Sequence, residues 1–205
     1  MPMTTMMQWA RQRRLIVVGA LAAVGVVLLV AMAVAPRPGA GAAMAVEDGC
    51  PGAGEPAAQR SVKPLQRSIR CLINLERGKR DLGRLARDKD LQEVGLAHSE
   101  VMVETNCLAH QCAGEEDLET RLREAGYFDG AEMWQFAENT GCALSAEAMV
   151  ANWMATRFHR VNILERRFHE IGVGAVEGRV KDHCKKGYAT FVVVLGWHDG
   201  GTPRH

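Results

Sequence analysis

The sequence predicts an α+β fold with helices on both faces of a small antiparallel sheet. Three observations predict it. Two amphipathic helical stripes come early, at Lys63–Lys79 and Leu91–Glu104. A near-continuous apolar run, Tyr188–Trp197, comes last and reads as a strand covered on both sides. The Gly178–Gly187 turn joins it to the strand before it as a hairpin. Helices before and between strands, with the strands clustered late, separate this pattern from an alternating parallel one.

Taken in order, Leu65, Ile69, Leu72 and Ile73 form one stripe of the first helix, with charged residues opposite. Pro64 near its start loses no needed hydrogen bond. Asp88 or Asp90 caps the second helix, where Leu91, Val94, His98, Val101 and Met102 share a face. A short helix over Glu116–Glu124 ends at Gly126. Trp134–Asn139 reads as a short strand, and Ser145 caps a fourth helix, Ala146–Thr156, edged by Met149, Val150 and Trp153. Glu170–Glu177 places Ile171, Val173 and Ala175 on one parity and glycines on the other, so another element is expected close against the glycine face.

The N-terminal region reads differently. Residues 1–14 carry Arg11, Arg13 and Arg14, and residues 15–35 carry no charge. A helix over 15–35 is about 30 Å long, the thickness of a bilayer core. Basic residues before it predict a cytoplasmic N-terminus and a transmembrane signal anchor. A signal peptide cleaved after Ala33 or Ala35 is the alternative. Either reading puts the remainder outside the cytoplasm, as a cell-membrane or a secreted protein. Residues 36–46, rich in Gly, Ala and Pro, read as a flexible linker, 47–198 as the folded domain and 199–205 as a tail. A net charge of +1 gives no support for a nucleic-acid partner.

Six cysteines, at 50, 71, 107, 112, 142 and 184, all follow the apolar segment. An even count in an exported domain points to three disulfides, whose pairing spacing alone leaves open. The expected set is Cys50–Cys71, Cys107–Cys112 and Cys142–Cys184. The first would pin the leading segment to the first helix. The second would close a tight loop around His110, and the third would tie the end of the Glu138 segment to the last hairpin.

Three residues carry the chemistry: His110 between two cysteines, Glu138 in Phe136-Ala137-Glu138-Asn139, and His159 beside Phe158. Imidazoles and a carboxylate in apolar surroundings need partners. They can pair with one another, or hold Zn²⁺ or another divalent cation, His110 and His159 being the ligands. Each also has a plainer reading. His98 reads as a packed core histidine, Asn162 as an amide satisfying a turn, and Glu138-Asn139 as a local hydrogen-bonding pair. His169, His183, His198 and His205 read as solvated. No serine stands in a His/Asp arrangement, and there is no HExxH motif.

From Cys71 to Gly196 the chain resembles a CAP (SCP-like) domain of the bacterial exported type, the superfamily of cysteine-rich secretory proteins, antigen 5 and pathogenesis-related proteins. The segments that carry the resemblance are Leu72–Arg77, Ala97-His98-Ser99, Ala109-His110, Leu122–Tyr127, Ala137-Glu138-Asn139, Trp153-Met154, His159–Leu164 and Phe168–Gly174. The resemblance implies an α-β-α sandwich with a cleft of two His and two Glu that binds a divalent metal in some members. His110, Glu138 and His159 match three of those positions. The second Glu is expected a turn after Trp153, where this chain has Thr156. The cleft mouth is also altered, to Cys-Leu-Ala-His-Gln-Cys around the first His and Thr-Arg-Phe-His before the second.

The expected function is a membrane-tethered extracytoplasmic module. It would bind a small ligand, lipid or cell-envelope component through the cleft. The alternative is a metal-assisted hydrolase of peptides or envelope polymers, with Glu138 activating water.

Overall fold

In the computed structural model, residues 49–200 are described. The expectations for residues 1–14, 15–35 and 36–46, and for the last residues of the tail, lie outside them. No helix among the described residues is long and apolar enough to cross a membrane.

A 3-10 turn, Ala57–Gln59, precedes α1 (Val62–Gly78). Then come β1 (Ala86–Arg87), α2 (Lys89–Thr105), α3 (Leu118–Glu124), β2 (Trp134–Ala143), α4 (Ala146–Ala155), α5 (Arg157–Ile163), β3 (Glu170–Val176) and β4 (Ala189–His198). The described residues therefore hold five α-helices and one mixed four-stranded sheet, in the order β1-β3-β4-β2.

The local signals act as expected. Asp88 Oδ1 accepts hydrogen bonds from the backbone N–H groups of Asp90 and Leu91, each at 2.9 Å. Ser145 Oγ accepts from Ala148 N–H at 3.1 Å, and Gly126 leaves α3 with a φ of 82°. β4 is central and antiparallel to both β2 and β3, which explains why its run is apolar on both parities. Alternate residues of β4 enter two separate cores. Phe191, Val193 and Leu195 join α1, α4 and α5 on one face. Val192 and Val194 join α2 and α3 on the other.

Three features depart from the sequence expectation. The sheet is not purely antiparallel, because β1 pairs in parallel with β3, Ala86 opposite Glu170. β2 extends to Ala143, because β4 offers it partners along its whole length. Residues 157–163 form a helix rather than a turn. Only Ile163 of α5 is buried, so no apolar stripe announced it.

The three disulfides are Cys50–Cys71, Cys107–Cys112 and Cys142–Cys184. Arg77, fully buried, donates to four carbonyl oxygens, those of Gly83, Ile163, Glu165 and Phe168, at 2.7–3.1 Å. It thereby clamps the end of α1 to the connections around β1 and α5.

Candidate functional site

Edge strand β2 carries the centre of the site. Its adjacent residues Glu138 and Asn139 point to opposite faces, and each recruits a different layer of helices. Asn139 Nδ2 donates to the backbone oxygen of His159 at 3.1 Å, and Asn162 Nδ2 donates to Asn139 Oδ1 at 2.9 Å. These amides dock α5 on the strand and so set His159 beside it. Asn162 thus joins helix to strand, where the sequence suggested an amide within a turn.

Glu138 turns to the other face, where its side chain is 2% exposed. Its Oε1 meets His110 Nδ1 at 2.9 Å. The Cys107–Cys112 bridge frames the loop that carries His110, whose own side chain remains 63% exposed. Behind this pair lie three residues that the sequence did not mark as members of a site: His98, Glu115 and Arg121. His98 is buried, as expected of a core residue, yet both ring nitrogens are engaged. Nδ1 lies 2.7 Å from Glu115 Oε1 and Nε2 lies 2.9 Å from the Ala109 carbonyl oxygen. A carbonyl and a carboxylate both accept.

Arg121 lies against both carboxylates, with Nη1 3.4 Å from Glu115 Oε1 and Nη2 3.5 Å from Glu138 Oε2. Its Nη2 also donates to the His110 carbonyl oxygen at 2.9 Å. Glu115 further accepts from the Cys112 N–H at 3.1 Å, which fastens the disulfide loop to the network. The second carboxylate of the site is thus Glu115. Thr156 is the exposed N-cap of α5, and its hydroxyl donates to the Asn152 carbonyl oxygen.

The two histidines have opposite proton preferences. The hydrogen bond to Glu138 raises the His110 pKa above its ordinary value, burial opposing it. Burial, and then the nearby charge of His110, lowers that of His159.

The resemblance implies a divalent cation here, and the side chains as placed do not fit one. Among the described residues, no group of three or more His, Cys, Asp or Glu is arranged to hold a metal ion. The Arg121 guanidinium already supplies positive charge to both carboxylates, and Glu138 Oε1 is taken by His110.

One other sequence reading changes. His198, expected to be solvated, has a side chain 13% exposed and packs edge-on against Tyr127, ring centroids 4.9 Å apart. Tyr127 donates to Glu170 Oε2 at 2.6 Å in the same buried corner. Trp153 is core, with Nε1 donating to the Thr140 carbonyl oxygen at 3.0 Å.

The sequence profile of the cysteine-rich secretory protein family (CAP) matches residues 71–195. No curated protein matches in sequence. Among solved structures, the chain is similar to an extracellular protein containing an SCP domain from Bacillus anthracis. That similarity has a TM-score of 0.56 and 22% identity, covering 67% of this chain and 42% of that one. It is also similar to an outer surface protein from Borrelia burgdorferi, with a TM-score of 0.53 and 17% identity, over 64% of this chain and 90% of that one. At these identities the likeness shows the fold alone. The chain spans less than half of the first structure's length.

Proposed function

Because the chain belongs to the cysteine-rich secretory protein (CAP) family, we propose that it is a membrane-tethered extracytoplasmic binding module. In this reading a small ligand, lipid or cell-envelope component is held at the His110 face of the cleft. The observation that carries it is the burial of the carboxylate at the centre of the polar network. Glu138 is buried, bonded to His110 through one oxygen and faced by Arg121 at the other. With a side chain only 2% exposed, this carboxylate is set back from solvent, so the hydrolase reading lacks a base open to bulk water. What the network offers to solvent is one exposed imidazole, held in place and biased toward its charged form.

Apolar surface lies close by in the chain. Phe158, next to His159, is 77% exposed, and Val161 on the same helix is 53% exposed. An anionic or hydrogen-bonding head on His110 with an apolar part on Phe158 describes an amphipathic ligand, which is why a lipid is favoured among the three classes. The extracellular and outer-surface relatives support the placement outside the cytoplasm. The basic residues before the uncharged 15–35 segment support the tether.

The test uses the full chain in non-ionic detergent, with a dansyl-labelled fatty acid and Zn²⁺ as probes. Saturable fatty-acid binding, lost in Phe158→Ser and in His110→Ala, is expected, with no Zn²⁺ binding tighter than about millimolar by calorimetry. Tight Zn²⁺ binding, together with cleavage of isolated envelope material that Glu138→Gln abolishes, would reverse the reading in favour of a hydrolase.

A further inference from the structure

A second polar feature lies apart from the His110 network and shares none of its residues. A cavity of about 390 Å³ opens beside the Cys50–Cys71 bridge, lined among others by Arg60, Arg67, Ser68, Arg70 and Arg84. Residues 67, 70, 71 and 74 follow helical spacing, so one flank of α1 forms a wall of the cavity. Arg84, from the segment between α1 and β1, supplies another side.

Among the described residues, the charges here are not balanced. Among the described residues, Arg60 has Glu55 at 3.5 Å, while Arg67, Arg70 and Arg84 have no carboxylate within ion-pair distance. Arg70 feels the consequence. Burial, then the like charges of Arg87, Arg67 and Arg84, lowers its pKa. Like charges gathered around a concavity repel one another, and folding alone gives no reason to gather them. A bound anion removes that cost. Several guanidinium forks around one small cavity suit a multiply charged, tetrahedral oxyanion better than a single carboxylate, because each fork can donate in bidentate fashion to a different pair of oxygens. The volume exceeds what a bare phosphate needs and admits a phosphodiester head.

We propose that the arginine cavity beside the Cys50–Cys71 bridge binds a phosphate group. An anionic phospholipid headgroup and a free phosphate share this chemistry. Position in the chain favours the headgroup. Residues 36–48, between the cavity's leading edge and the uncharged segment, span at most about 45 Å when extended. A domain tethered through residues 15–35 would therefore keep the cavity within reach of the bilayer surface.

The experiment is calorimetry on the full chain in non-ionic micelles. Inorganic pyrophosphate is one probe; micelles doped with phosphatidylglycerol, against phosphatidylcholine as control, are the other. Binding of phosphatidylglycerol alone supports the site with a lipid source, and binding of both probes supports it with free phosphate groups included. Each arginine removed is expected to weaken binding about tenfold, so R67Q/R84Q abolishes saturation while R67K/R84K retains part of it. Both side chains are exposed, so the substitutions spare the fold, which an unchanged unfolding midpoint verifies. No binding of either probe overturns the proposal. So does binding that survives R67Q/R84Q, or a loss equally large in R166Q, an exposed arginine outside the cavity.

Discussion

His110 and His159 have opposite proton preferences, and the cause in each case is a neighbour. Glu138 holds a proton on His110, whereas burial and the charge of His110 keep one off His159. For His110 the folded-state pKa lies above the unfolded value of 6.5. Its stabilisation is therefore complete below that value and disappears as pH rises through the folded-state pKa. For His159 the sign reverses. Its folded-state pKa lies below 6.5, so the unfolded chain gains its proton first and stability falls as pH drops through that lower range. NMR titration of the ring protons is expected to find His110 titrating above and His159 below the ordinary value. Glu138→Gln should bring His110 down; a His110 midpoint that stays put would break the assigned hydrogen bond. The three candidate residues were readable in the sequence because residue type and flanking motif both mark them. His98, Glu115 and Arg121 were not, since their roles depend on contacts between α2, the disulfide loop and α3 that no local pattern encodes. His98 sits on an apolar stripe, and Arg121 resembles any other surface charge of a short helix.

At the scale of elements, β3 shows a rule that the sequence did state. Gly172 and Gly174 alternate with Ile171, Val173 and Ala175, and a Cβ at either glycine would run into the α2 backbone, at Leu91 and at Gly95 respectively. Helix and strand lie nearly in backbone contact there, which fixes the height of α2 and hence the position of His98 over Glu138. Gly174→Ala is expected to cost about 2 kcal/mol or more, because backbone cannot yield as a flexible side chain can. Denaturant unfolding measures it, and a loss under about 0.5 kcal/mol would show that α2 is free to lift. α5 and β1 were hidden for the converse reason. α5 buries only Ile163, and β1 has two residues. Both exist because partners hold them: Asn139, Asn162 and Arg77 around α5, and β3 beside β1.

At the scale of the whole molecule, covalent ties supplement two separate cores divided by the sheet. Cys142–Cys184 joins the end of β2 to the β3–β4 connection across a separation of 42 residues, so it restricts the unfolded chain strongly. Replacing both cysteines with serine is expected to lower stability by about 3–4 kcal/mol, seen as a lower midpoint of thermal unfolding. An unchanged midpoint would mean that the cores alone hold this edge. Charge behaves differently at this scale than in the composition. A net charge of +1 hides the concentration of arginines along one flank of α1. The amino-acid sequence by itself determined the layered α+β plan and the candidates His110, Glu138 and His159, and it left the cysteine pairing open. Periodicity, capping and residue chemistry are local, and they survive reading along a line. Only the tertiary structure decided that Arg121 stands against two carboxylates, that the second of these is Glu115, and that arginines separated in sequence surround one cavity. Those outcomes depend on distances of a few ångströms between elements far apart in the chain, where electrostatic energy changes steeply with separation.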